Sequence, residues 1–87
     1  MDEYWLCDSH AAYCFCYDGE WYHLKCENPT ENQWRFQPVT MEKGLPNEMH
    51  VNYYNEVDLG AMLTAISWTL ADLQSEIGKQ RTVDATP

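Results

Sequence analysis

The 87 residues carry 14 Asp plus Glu against 5 Lys plus Arg, a net charge of -9, with 45% apolar and 14% aromatic residues. A chain of this length builds one domain, and its apolar share excludes a disordered polymer. The charge excludes a free-standing nucleic-acid binder, because affinity for phosphate comes from Lys and Arg that release counterions, and it repels an anionic membrane surface.

Residues 3–54 are rich in Tyr, Trp, Cys and Val with Gly, Pro and Asn punctuation, the texture of short antiparallel strands. A first strand is expected over 3–8, followed by a tight turn at Ser9-His10 and a second strand over 11–17. Asp18-Gly19 between aromatic-rich runs predicts a two-residue type I′ turn into a third strand over 20–26. That turn pairs Tyr17 with Glu20, Cys16 with Trp21, Phe15 with Tyr22, Cys14 with His23 and Tyr13 with Leu24. Side chains alternate across a sheet, so one face carries Tyr13, Phe15, Tyr17, Tyr22 and Leu24, joined by Tyr4 and Leu6. The other carries Cys14, Cys16, Trp21 and His23, joined by Trp5 and Cys7.

After a polar loop over 27–32, residues 33–37 alternate Trp34 and Phe36 in a strand that Pro38 confines to an edge. Residues 41–48, with Gly44 and Pro46, read as a loop, and 49–54 as a further strand alternating Met49, Val51 and Tyr53, with His50 exposed. The period then becomes helical. Asn55 suits an N-cap, Glu56 and Asp58 suit the first turn, and Leu59, Leu63, Ile66, Leu70, Leu73 and Ile77 form one stripe. Gly78 marks the stop, Lys79 and Arg81 complement the negative end, and 79–87 is expected as a flexible tail. The prediction is an α+β fold: an antiparallel sheet of three to five strands packed by one long C-terminal helix over 55–77, in a single domain spanning 1–78.

Cysteine placement offers the first candidate chemistry. Cys7, Cys14, Cys16 and His23 share a sheet face and supply four ligands of the kind a tetrahedral zinc takes, with Cys26 as a substitute. Cys14-x-Cys16 on a flat strand holds its thiols about 6 to 7 Å apart, near the limit for sharing one ion, so buried thiols without a cofactor are the first expectation. Cys14 opposite His23 resembles a nucleophile and base, but a third orienting group and an oxyanion-binding turn are missing, so no enzyme is expected. His10 reads as a turn residue.

Both sheet faces carry large rings, more than one helix covers, so one face is expected to meet solvent or a partner, where Tyr and Trp anchor binding. The helix stripe also suits a dimeric coiled coil, but packing on the chain's own sheet is the simpler use; Trp68 lies off the stripe centre as a second contact surface. Met1-Asp2-Glu3 opens no apolar run, so no secretory signal is expected. The longest uncharged stretch, 59–71, falls short of the ~18 to 20 residues of a membrane span. A cytoplasmic setting follows, in which cysteines stay reduced.

These features converge on a non-enzymatic acidic protein that occupies a basic, nucleic-acid-binding surface of a larger partner, as a monomer or homodimer. Glu20, Glu27, Glu31, Glu42 and Glu48 would steer the encounter, with Tyr17, Trp21 and Trp34 as anchors. The alternatives are a small zinc-binding structural module and a homodimeric subunit of a larger assembly. In length, surplus of Asp and Glu and lone-domain design, the chain resembles the small acidic phage proteins that disable bacterial defence, anti-CRISPR proteins among them. That resemblance implies a bacterial cytosolic target, a large protein or ribonucleoprotein complex whose DNA-binding surface is occluded.

Overall fold

Asp18 and Gly19 take positive φ, 53° and 82°, the pair of left-handed residues that a type I′ turn requires. In the computed structural model, which describes residues 2–7, 11–49 and 53–85, this turn joins β2 (Ala12–Tyr17) to β3 (Glu20–Asn28). The register is the expected one, from Tyr17 opposite Glu20 to Tyr13 opposite Leu24. β1 (Glu3–Cys7) pairs antiparallel with β2, placing Tyr4 against Phe15 and Trp5 against Cys14, so both faces are composed as the alternation predicts. The Ser9-His10 turn lies outside the described residues.

β4 (Gln33–Gln37) pairs with β3, setting Phe36 against Leu24 and Trp34 against Cys26. A register shift between Cys26 and Asn28 leaves Glu27 as the extra residue of a bulge. Residues 41–48 are a small hairpin and not a loop: β5 (Met41–Glu42) and β6 (Leu45–Pro46) pair across Lys43 and Gly44, both at positive φ. The strand expected over 49–54 does not form at Met49, Tyr53 or Tyr54, and His50 and Val51 lie outside the described residues. The fifth strand of the main sheet is instead β7 (Asn55–Val57), which pairs with the far side of β1 and completes the order β4-β3-β2-β1-β7. Val57 opposite Tyr4 adds an apolar side chain to the core face.

Asn55 therefore lies in a strand, and the N-cap is Asp58, whose Oδ1 accepts a hydrogen bond from the Ala61 amide at 2.6 Å. One continuous helix was expected; there are two, α1 (Leu59–Ile66) and α2 (Leu70–Ala85). Ser67 turns left-handed at φ 61°, its amide donating to Thr64 O at 3.2 Å and the Trp68 amide to Leu63 O at 3.0 Å, a Schellman ending. α2 then starts on a capping box. The Asp72 amide donates to Thr69 Oγ1 at 3.1 Å and the Thr69 amide to Asp72 Oδ2 at 2.8 Å, and donation by Thr69 to the carboxylate, from its backbone amide first, holds the Asp72 carboxyl below its ordinary range.

Gly78 does not stop α2, which runs on to Ala85, so Lys79 and Arg81 are helical and not part of a tail. An interior glycine costs only about 1 kcal/mol, and the buried Ile77 and the sheet-bound Arg81 hold the helix on either side of it.

The main core lies between the sheet and the helices. Tyr4, Tyr13, Phe15, Tyr22 and Leu24 face Met62, Ile66, Leu73 and Ile77, all buried. Phe15 sits at its centre, with Tyr4 and Tyr22 stacked on either side at centroid distances of 5.7 and 5.4 Å. The break between helices re-phases the sequence stripe and leaves Leu70 42% exposed. The opposite sheet face is also covered, contrary to expectation: Cys7, Cys14 and Tyr54 form a second buried cluster, with Trp5, Trp21 and Met49 packed against it. The chain that returns after β4 supplies Met49 and Tyr54, a cover invisible without the fold.

Candidate protein-binding surface

Antiparallel order brings the start of β1, the β2–β3 turn, the start of β3 and the end of β7 to one end of the sheet. The sequence places a carboxylate at each of these points: Asp2 and Glu3, Asp18, Glu20, and Asp58. From β7 to β3 the strands span about 14 Å, so this end is an acidic rim. Asp2 Oδ1 accepts from the Asp18 amide at 2.9 Å.

Arg81 is the cation that reaches the rim, 3.4 Å from Glu20 and 3.6 Å from Asp18, with its Nε donating to Tyr22 Oη at 3.0 Å. The Tyr22 hydroxyl in turn donates to Glu20 Oε2 at 3.1 Å. Exposed pairs of this kind contribute little stability each. Their effect is positional, tying α2 to the first residues of β3.

The remaining predicted acids do not join this rim. Glu27 sits at the bulge, 3.0 Å from Arg35, and Glu31 accepts from Gln33 Nε2 at 2.7 Å. Glu27 lies roughly 23 Å along β3 from Glu20. Glu42 is exposed on β5, and the half-buried Glu48 accepts from the Thr40 amide at 3.1 and 3.3 Å. Asp2, Glu3, Asp18 and Asp58 are not among the acids that the sequence assigns to binding. Once residues 3–7 are paired with 12–16, however, residues 2 and 3 must lie beside the 18–19 turn, so that signal was available. Asp58 required β7.

Of the predicted aromatic anchors, Tyr17 is half-buried and its hydroxyl accepts from Gln74 Nε2 of α2 at 3.1 Å. Trp21 is half-buried on the cysteine face and lines an open groove of about 350 Å³ with Glu20 and Pro38. Trp34 donates from Nε1 to Asn32 Oδ1 at 2.9 Å, while Asn32 Nδ2 donates to Ile66 O at 3.1 Å. Trp34 thus shares an anchor with the end of α1, and it lines a second groove, of about 380 Å³, with Phe36 and Trp68.

On the other face Cys14 stands opposite His23 as predicted. Burial pushes the Cys14 thiol up to about 12, with the Glu48 carboxylate adding to the shift. Burial lowers His23, Glu48 partly opposing, and among the described residues Nε2 of this imidazole has no hydrogen-bond partner. Both shifts favour the neutral thiol and the neutral imidazole over a thiolate-imidazolium pair. Cys7, Cys14, Cys16 and His23 do share a face, but among the described residues no three His, Cys, Asp or Glu side chains converge on a point where a metal ion would sit. Strand pleating separates them, as the Cys14-x-Cys16 spacing implies.

No protein-family model, curated protein or solved structure matches the chain. Among the described residues no helix is long and apolar enough to cross a membrane.

Proposed function

We propose that the chain is a non-enzymatic, acidic binding protein that seats on a basic, nucleic-acid-binding surface of a larger bacterial complex and occludes it, in the manner of anti-CRISPR proteins. The observation that carries this reading is the acidic rim: Asp2, Glu3, Asp18, Glu20 and Asp58 on four neighbouring strand ends, with Arg81 as their counter-charge. Arg35 and Lys79 are likewise drawn into ion pairs with Glu27 and Glu76. Such a surface attracts a cationic one at long range and excludes nucleic acid from it. The protonated Cys14 and neutral His23 accord with a chain that does no nucleophilic chemistry. The free thiols of Cys14, Cys16 and Cys26 suit a reducing cytosol.

The test is capture from a nuclease-treated bacterial lysate on the immobilised chain, with duplex DNA as competitor. The captured complex is expected to be released by DNA and by raised salt, which screens exposed charge. Joint replacement of Glu3→Gln, Asp18→Asn and Glu20→Gln should abolish capture, and Glu27→Gln with Glu31→Gln should leave it. Undiminished capture by the first variant would refute the reading.

A further inference from the structure

Trp68 follows the left-handed Ser67, and its amide is bound back to Leu63 O. This turn sets its ring beside Phe36 in an edge arrangement, centroids 6.3 Å apart and planes at 71°. Trp34, fixed through Asn32 to the end of α1, stands along the same edge strand. Glu76 and Gln80, one turn apart on α2, close the groove of about 380 Å³ from the helix side, and Arg35 also lines it, with its guanidinium paired to Glu27 at 3.0 Å. Two indoles, a phenyl ring and the Glu76 carboxylate line the groove, and the one cation in its lining, Arg35, is already paired with Glu27.

We propose that this groove receives the guanidinium of an arginine side chain presented by a partner protein. The inference rests on the reading that the partner's surface is basic, and it names the group recognised. Aromatic faces attract cations, and a planar, weakly hydrated guanidinium stacks on them while donating paired hydrogen bonds to a carboxylate, here Glu76. The present partner of Glu76, Lys79 at 3.1 Å, is an exposed i,i+3 pair that an incoming cation displaces at small cost. Farther along α2 the fold holds another guanidinium through carboxylates and a tyrosine hydroxyl: Arg81 rests between the Tyr22 hydroxyl, Glu20 and Asp18.

The experiment follows the assigned indole N–H signals of the 15N-labelled chain while arginine amide is added, with citrulline amide and lysine amide as matched probes. A saturable shift at Trp34 and Trp68 with arginine, absent with the uncharged citrulline and weaker with lysine, supports the proposal. Glu76→Gln, a change on a partly exposed helix surface checked by an unchanged melt, should weaken arginine about fivefold, the equivalent of ~1 kcal/mol for an exposed ion pair. Trp68→Leu should remove the response at Trp34. An equal response to citrulline, or a response at Trp5 and Trp21 in place of Trp34 and Trp68, overturns it.

Octa-arginine separates the two levels. If Trp68→Leu still binds it while the Glu3, Asp18 and Glu20 variant does not, the groove is wrong and the acidic-rim reading stands. If the unaltered chain binds no octa-arginine, the reading of a basic partner falls, and the groove falls with it.

Discussion

Replacing Ser67 by glycine tests the break between the helices through the sign of a stability change. Ser67 holds φ 61° and ψ 34°, a conformation that costs a residue with a Cβ roughly 1–2 kcal/mol. Glycine removes that strain but loses roughly 0.5–1 kcal/mol more backbone entropy on folding, so Ser67→Gly should stabilise the protein by about 0.7 kcal/mol. For a domain of this size the melting temperature rises by about 3 to 6 °C. Ser67→Ala keeps the strain and should gain nothing. Were residues 59–85 one unbroken helix, the glycine effect would reverse sign and the alanine effect would no longer be nil, with glycine costing and alanine gaining about 0.5 kcal/mol each. Thermal melts followed by circular dichroism at 222 nm, a wavelength that reports helix, read both variants. A lower melting temperature for Ser67→Gly together with a higher one for Ser67→Ala would refute the Schellman turn and the placement of Trp68 that depends on it.

Thr69→Ala removes the side-chain acceptor of the Asp72 amide and should cost about 1 kcal/mol in urea unfolding; a neutral result would remove the capping box. His23 is lowered by burial from its ordinary 6.5, so as pH falls the unfolded chain takes up this proton first. The group leaves stability untouched above about pH 7 and erodes it from about 6.5 downward, at up to ~1.4 kcal/mol per pH unit. His23→Gln should flatten that slope, and an identical slope would show that other groups titrate there. Iodoacetamide at mildly alkaline pH should label the half-exposed Cys26 first and leave Cys14, buried and raised to about 12, until the chain unfolds. Mass spectrometry of early labelling settles the order, and early modification of Cys14 would contradict its burial.

The meander of β1 to β4 was legible because its information is local. Asp18-Gly19 sets a turn whose register assigns the side chains of β2 and β3 to faces, and the pairings with β1 and β4 extend the same alternation outward. β7 was not legible, since Asn55-Glu56-Val57 is too short to show alternation and pairs with residues far away in sequence. The helix break was hidden by a stripe that runs unbroken from Leu59 to Ile77, although Thr69-x-x-Asp72 carried a capping signal. Asp58 displaced Asn55 as cap for a tertiary reason: residues 55–57 earn more from bonding to β1 than from a further helical turn. The acidic rim was half legible, following from strand register for Asp2, Glu3 and Asp18. The grooves beside β4 were not, because they exist only where α2 and the Trp68 link are laid against the sheet edge.

The strand order β4-β3-β2-β1-β7 also divides the molecule by the time at which its parts assemble. Four strands join neighbours through short connections, whereas seating β7 beside β1 closes the connection of about 17 residues that leaves β4, at an entropic cost of about 2.5 kcal/mol. Only Asn55, Glu56 and Val57 return that cost through the ladder. The sheet should therefore form as a meander and be latched afterwards, with β7 the first strand to open in the native state. Amide exchange would record this as fast exchange along residues 55–57 against slow exchange in β2 and β3; equal protection across the sheet would mean that the latch and the meander open as one cooperative unit.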